Sequence, residues 1–357
     1  MPPVATADSQ RSSDEDSDSS DSSDDHPYPG AEADDSDFDE LGADDFPTYF
    51  SERDGRLFHS HDSSPYPLPV DTPEQERMNV LHRALFELIG AHHPASCPVR
   101  DVLAPHPTRQ KYALDMCTGT GKWLIDVARA FPHVAFRGFD IVPIATRYPP
   151  ENVQFLLHDV NTAAPWEAGT FDLVHTRSVS MAVTSYPAFI AEAARLLRPG
   201  GLFISSEWAR ALYLDPTHAP AAASAGQAPR PAAATPAIAA FFAALHAALA
   251  ALGLQPTAPP IASLLQAAPA LFGTSSIHAE THMVPLGAWH PSPNMRRIGR
   301  ALRTSFLRYM DSVQPLLSES GGLSPDALAQ MYAGTRAEVR SVPGLVAVFH
   351  TVHARRV

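Results

Sequence analysis

From Lys111 onward the apolar positions fall into short blocks separated by helical stripes. "YALDM" (112–116) has the continuous apolar character of a buried strand, and Leu124, Val127, Ala128 and Phe131 then recur at helical spacing. "VAFRGFD" (134–140), "VQFLLHD" (153–159) and "FDLVHTR" (171–177) read as three more strands. "PAFIAEAARLLRPGG" (187–201) is a helix closed by a Pro-Gly-Gly turn, and "LFISSEW" (202–208) is a fifth strand. Alternating short apolar strands and helices predict a parallel sheet covered on both faces, the Rossmann-like α/β class. Ala-rich helices are expected over 237–252 and 259–270, with two more near 294–318 and 325–340. "SIHAETHMV" (276–284) and "GLVAVFHTVHARR" (344–356) bring the strand count to seven. Upstream, "LPVDTPEQERMNVLHRALFELIG" (68–90) announces a helix. Thr72 is placed to cap it, Pro73 suits its first position and Gln75 completes a capping box. Met78, Leu81, Leu85 and Leu88 share one face.

The first 55 residues break this pattern. They are rich in Ser and Asp ("SSDEDSDSSDSSDD") and nearly free of aliphatic side chains, so they cannot bury enough apolar surface to offset chain entropy. A disordered acidic arm is expected over 1–55, a solvating tail first and a phosphorylation target or docking arm for a protein partner second. Charge follows the same division. Of the 39 acids in the chain, 18 lie in residues 1–54 beside only two arginines, which leaves 21 acids against 24 bases for the rest. The net −13 therefore belongs to the arm, and the folded body is weakly basic.

Two cysteines, Cys97 and Cys117, form no disulfide framework, and the 17 histidines show no metal-ligand spacing, so no metal is expected. Without a signal segment or an apolar run of membrane length, the expected place is intracellular, cytoplasmic or nuclear, with no membrane partner.

"LDMCTGTGKW" (114–123) is a glycine turn between a strand and a helix, a backbone arrangement that presents N–H groups to a polar ligand. A triphosphate loop needs Ser or Thr after the lysine, and Trp123 stands there. The dinucleotide fingerprint needs a third glycine where Leu124 stands. S-adenosyl-L-methionine uses what these leave idle. Asp115 ends the first strand and suits the ammonium group; Asp140 ends the second, 19 positions after Gly121, and suits the ribose hydroxyls. Asp159 ends the third and suits the adenine amino group. One acid at each of three successive strand ends matches where open α/β sheets bind ligands. A single aspartate after a strand is more often a turn former.

"LDMCTGTGKW", "GFDIVPI", "HDVNTAAPWEAGTFDLVHTR" and "LRPGGLFISSEWAR" resemble the class I S-adenosylmethionine-dependent methyltransferases, most closely the fungal branch of LaeA-type regulators of secondary metabolism. The resemblance extends to "VDTPEQERMNVLHRALF", where Glu76 and Arg77 precede His82, and to "VPLGAWHPSPNMRRIGRAL". It covers residues 65–357 and implies a seven-stranded sheet with an antiparallel last strand. It divides that span into a lid helix and linker (65–108), a cofactor-binding core (109–210), an Ala/Pro-rich insertion (211–272) and C-terminal strands and helices (273–357). By motif position Asp115, Thr118, Gly119, Thr120 and Gly121 carry over to the methionine end, with Asp140 and Ile141 at the ribose and Asp159 and Val160 at the adenine. Cys117 takes the place of a glycine of the wider motif, so the turn there must tolerate a side chain. "IVPIATRYPP" is too short for a full helix after the second strand.

Methyl transfer is an in-line displacement, and the protein's main task is to align the acceptor. The fourth strand ends in "VHTRS", which makes His175 the candidate base and Arg177 the candidate orienting cation. Trp166, Trp208 and Trp289 are available to wall an aromatic pocket. The basic helix "MRRIGRALRTSFLR" reads as a solvated face rather than a nucleic-acid site. The expected activity is S-adenosylmethionine-dependent methyl transfer to an unidentified acceptor, a small molecule such as a fungal secondary metabolite being favoured. The alternative is a LaeA-like cofactor-binding regulator acting through protein partners. An open acceptor pocket favours the first, a filled pocket with an exposed apolar surface the second.

Overall fold

The computed structural model describes residues 4–7, 38–42, 44–217, 235–320 and 322–357. Its strands are β1 (Val4–Ala7), β2 (Phe38–Glu40), β3 (Phe50–Arg53), β4 (Arg56–His59), β5 (Lys111–Met116), β6 (Val134–Asp140), β7 (Val153–Leu157), β8 (Phe171–Arg177), β9 (Leu197–Leu214), β10 (His278–Pro285) and β11 (Leu345–Arg355). Its α-helices are α1 (Thr72–Ile89), α2 (Val99–Val102), α3 (Lys122–Ala130), α4 (Tyr186–Leu196), α5 (Pro236–Ala251), α6 (Ile261–Gln266), α7 (Pro293–Glu319) and α8 (Pro325–Ser341).

One sheet runs in the order β10-β11-β9-β8-β5-β6-β7-β1-β2. β5, β6, β7, β8 and β9 are parallel neighbours, and β11 is antiparallel to both β9 and β10. The seven expected strands are thus β5 to β11, with the antiparallel last strand. Strand order reverses at β5, which has β6 on one side and β8 on the other, and a ligand crevice opens beyond the carboxyl ends at such a point.

Alternation along each strand sorts the core into two layers. Ala113, Leu173 and Ile204 face α2 and α3, whereas Leu114, Val174 and Phe203 face α4 and α6. A third cluster joins α1, α5, α7 and α8 to the outer halves of β9 and β11, forming a roof over the carboxyl ends. β9 supports that roof because it runs 18 residues, well past the Trp208 at which the apolar pattern ends.

The arm expected over 1–55 is shorter than its composition implies. β1 pairs with the open edge of β7 and β2 with β1, an association of backbone groups that needs no apolar core. β3 and β4 form a hairpin that buries Phe58, donates Arg56 to Asp71 and receives the Val70 N–H on Leu57 O. The expectation of disorder over 8–37 lies outside the described residues, as does most of the expected 216–236 loop. α1 is capped by Asp71, whose carboxylate accepts the Glu74 N–H, one residue before the expected Thr72; Gln75 instead donates to Val70 O.

Candidate active site

The turn after β5 holds its shape through three left-handed residues: Cys117 (φ 58°), Gly119 (φ 55°) and Gly121 (φ 71°). Thr118 N–H reaches across to Phe139 O, and Gly119 N–H donates to Asp140 Oδ2 at 2.8 Å, tying the turn to the end of β6. Glycine is required at 121 for packing: a Cβ there would lie 2.5 Å from Phe155 Cζ. α3 lies close to the sheet despite Leu124 because Gly138 on β6 makes the room. A Cβ at Gly138 would stand 2.8 Å from Leu124 Cδ2. Sequence reasoning had no reason to single out Gly138.

Asp115, Cys117, Thr118, Gly119, Thr120, Asp140, Ile141, Asp159 and Val160 line one cleft beneath Met78 and Leu81 of α1; Gly121 backs onto Phe155 instead. Thr120 Oγ1 bonds Asn79 of α1, so the turn is latched to the helix above it. Burial pushes the Asp140 carboxyl up to about 6. Asp159 accepts Asn161 N–H and Nδ2–H, both on Oδ1.

His175 lines the same cleft but is committed elsewhere. Its Nδ1 bonds Asp115 Oδ1 at 2.7 Å, and its ring stacks on Trp123 with centroids 3.4 Å apart. Burial holds its pKa below the ordinary histidine value. Asp115 also accepts Thr118 Oγ1–H at 2.8 Å, so His175 and Thr118 together fix that carboxylate. Arg177 donates Nη2–H to His82 Nδ1 at 3.1 Å, and His82 Nε2–H donates to Asp126. Burial, then the nearby Arg177, lowers His82 to about 4. His82, His92 and Asp126 bring ligand atoms within 4.8 Å of one another, a juxtaposition that their sequence spacing does not reveal. Asp126 already receives Lys122 and Arg129, however, and the cations there oppose another.

Arg77 pairs with Glu74, itself fully buried and bonded by Ser312. The basic helix is not merely a solvated face: Arg297 and Arg308 of α7 meet Glu87 and Glu76 of α1.

Residues 92–257 match a family model described as a methyltransferase domain. The secondary metabolism regulator laeA of Coprinopsis cinerea is 35% identical over 160 residues, 44% of this chain and 39% of that protein. The methyltransferase pytC of Aspergillus terreus is 26% identical over 288 residues, 80% of this chain and 81% of that one. Residues 92–257 thus resemble a methyltransferase domain, and the chain is similar in part to the LaeA relatives. The chain spans about two fifths of the length of the LaeA relatives it matches, among them the protein-methionine methyltransferase laeA of Emericella nidulans, 33% identical over 156 residues. Among solved structures, phosphoethanolamine N-methyltransferase 2 of Haemonchus contortus aligns with a TM-score of 0.41 at 13% identity, covering 84% of this chain and 61% of that one.

The cleft is open, with a volume of about 250 Å³. It continues past the glycine turn into a chamber under the roof helices. Met181, Phe242, Leu302, Phe306 and Tyr309 give it apolar walls. Of the three tryptophans offered for an aromatic wall, Trp208 lines it, while Trp166 lies in the core and Trp289 bonds Leu345 O. Glu207 and Arg210 reach into this chamber from β9. Glu207, 3% exposed, accepts Val179 N–H at 2.8 Å, and burial raises it to about 7. The polar break in "SSEWAR" was the available signal for both. Among the described residues, no helix is long and apolar enough to cross a membrane.

Proposed function

We propose that the chain binds S-adenosyl-L-methionine in the cleft and transfers its methyl group to a small-molecule acceptor entering through the chamber. The observation that carries this reading is the convergence of Asp115, Asp140 and Asp159 on one cleft with the glycine turn. When bound, the cofactor supplies an electrophilic methyl on a good leaving group. The residues present suit it. Asp140, with one oxygen on Gly119 N–H, would hold the ribose hydroxyls, and Asp159, lining the same cleft, would hold the adenine amino group. Asp115, clamped by His175 and Thr118, takes the ammonium group. His175 is therefore a positioning residue rather than a base. Arg177, with no carboxylate within 4.0 Å among the described residues, suits the methionine carboxylate.

The open chamber supports catalysis over a purely regulatory role. Exposed large apolar side chains among the described residues are scattered single positions such as Leu57, Phe86 and Met283. Relatives named as regulators of secondary metabolism support a fungal metabolite as the acceptor. Calorimetry tests the reading: S-adenosylhomocysteine binds and NAD does not. Absence of S-adenosylhomocysteine binding overturns it.

A further inference from the structure

Residues lining the chamber beyond the cofactor cleft carry buried polar atoms with no partner among the described residues. Arg210, 7% exposed, spends Nη1 on the carbonyls of Gln255 and Thr257, but its buried Nη2 bonds nothing among the described residues. No carboxylate lies within 4.0 Å of it among the described residues. The buried Nε1–H of Trp208, two residues earlier on the same strand, also lacks a partner among the described residues. A buried donor left without an acceptor costs stability, more so when it is charged. Both residues line the apolar chamber, and two such donors point to an oxygen acceptor that arrives from outside.

Register places these groups relative to the reacting end. Asp115 pairs with His175, His175 with Ile204 and Arg177 with Ser206, so Glu207 stands one step beyond the level of the glycine turn. Arg210 lies three residues further along β9, about 10 Å of extended strand. The carboxylate of Glu207 is thus near the methionine end, and the unpartnered guanidinium edge is distal to it. The walls between are apolar.

We propose that the acceptor is an apolar hydroxy acid, its carboxylate seated on Arg210 Nη2 and Trp208 Nε1 and its hydroxyl beside Glu207. The acceptor oxygen forms a bond to the methyl carbon, the methyl–sulfur bond breaks with its electron pair going to sulfur, and the hydroxyl proton passes to the Glu207 carboxylate. The products are a methyl ether and S-adenosylhomocysteine. This rests on the methyl-transfer reading above.

The test uses the full chain saturated with S-adenosylhomocysteine, titrated calorimetrically with 6-hydroxy-2-naphthoate, 2-naphthoate and 2-naphthol. Both carboxylates bind more tightly than 2-naphthol. Arg210→Met and Trp208→Phe weaken them about tenfold or more while leaving 2-naphthol within twofold. Retained S-adenosylhomocysteine affinity shows that each variant is folded. With S-adenosylmethionine, 6-hydroxy-2-naphthoate yields the ether by mass spectrometry and NMR. Glu207→Gln lowers kcat at least a hundredfold with carboxylate binding unchanged. Equal binding of the three probes, binding of none, or equal loss of all in the Arg210 variant overturns the anchor. A methyl ester product, or loss of S-adenosylhomocysteine affinity in Glu207→Gln, overturns the role of Glu207. Failure of the wild-type chain to bind S-adenosylhomocysteine at all marks failure of the methyl-transfer reading instead.

Discussion

Cys117 occupies a left-handed turn position that glycine takes without strain, at a cost of roughly 1–2 kcal/mol for a side chain. Cys117→Gly is expected to raise stability by about 1 kcal/mol in chemical denaturation, provided the gain exceeds the extra entropy of an unfolded glycine. Asp140 offers a second residue-scale prediction. Its folded pKa, about 6, lies above the ordinary carboxylate value, so the free fold gains stability from this group as pH falls through 6, while ribose binding favours the ionised form. S-adenosylhomocysteine affinity should be full above pH 7 and fall as pH drops through about 6. Asp140→Asn should abolish that pH step, weaken binding about a hundredfold and raise the melting temperature of the free protein at pH 8. An unchanged affinity would remove Asp140 from the site. The three aspartates were legible in the sequence because each ends an apolar strand. The partners of His175 were not, since Asp115 and Trp123 meet it only across β5, β8 and α3.

At the scale of elements, the glycine turn works only with the strands behind it. Gly121→Ala sets a Cβ against Phe155 and keeps a positive φ, and should cost about 2–4 kcal/mol; Phe155→Leu in the same chain should recover part of this. Full additivity of the two changes in urea melts would show that the contact does not exist. Strand and helix order was readable from periodicity alone. The length of β9 was not: its end stays extended because β11 pairs Leu345–Ala347 with Leu212–Leu214, beyond a register shift. The cap of α1 shifted from Thr72 to Asp71 for a similar reason, because the same carboxylate also answers Arg56 in the hairpin β3–β4.

For the whole molecule, the folded body begins earlier in the chain than composition suggests. A chain beginning at residue 44 should keep S-adenosylhomocysteine affinity and lose only the short β1–β2 edge. Removing residues 1–55 should lower the melting temperature by several degrees, because β3 goes with them and Phe58 and the Arg53–Glu319 pair lose their setting. Equal melting temperatures for the two truncations would show that the hairpin contributes nothing. The sequence by itself determined the α/β class, the seven core strands and the acids at three strand ends, because periodicity and turn chemistry are local properties of the chain. Only the tertiary structure decided that His175 supports Asp115 and that Gly138 makes room for Leu124. It alone brought Glu207, Trp208 and Arg210 to one apolar chamber. Those facts depend on which distant segments come to lie side by side, and no local pattern encodes that neighbourhood.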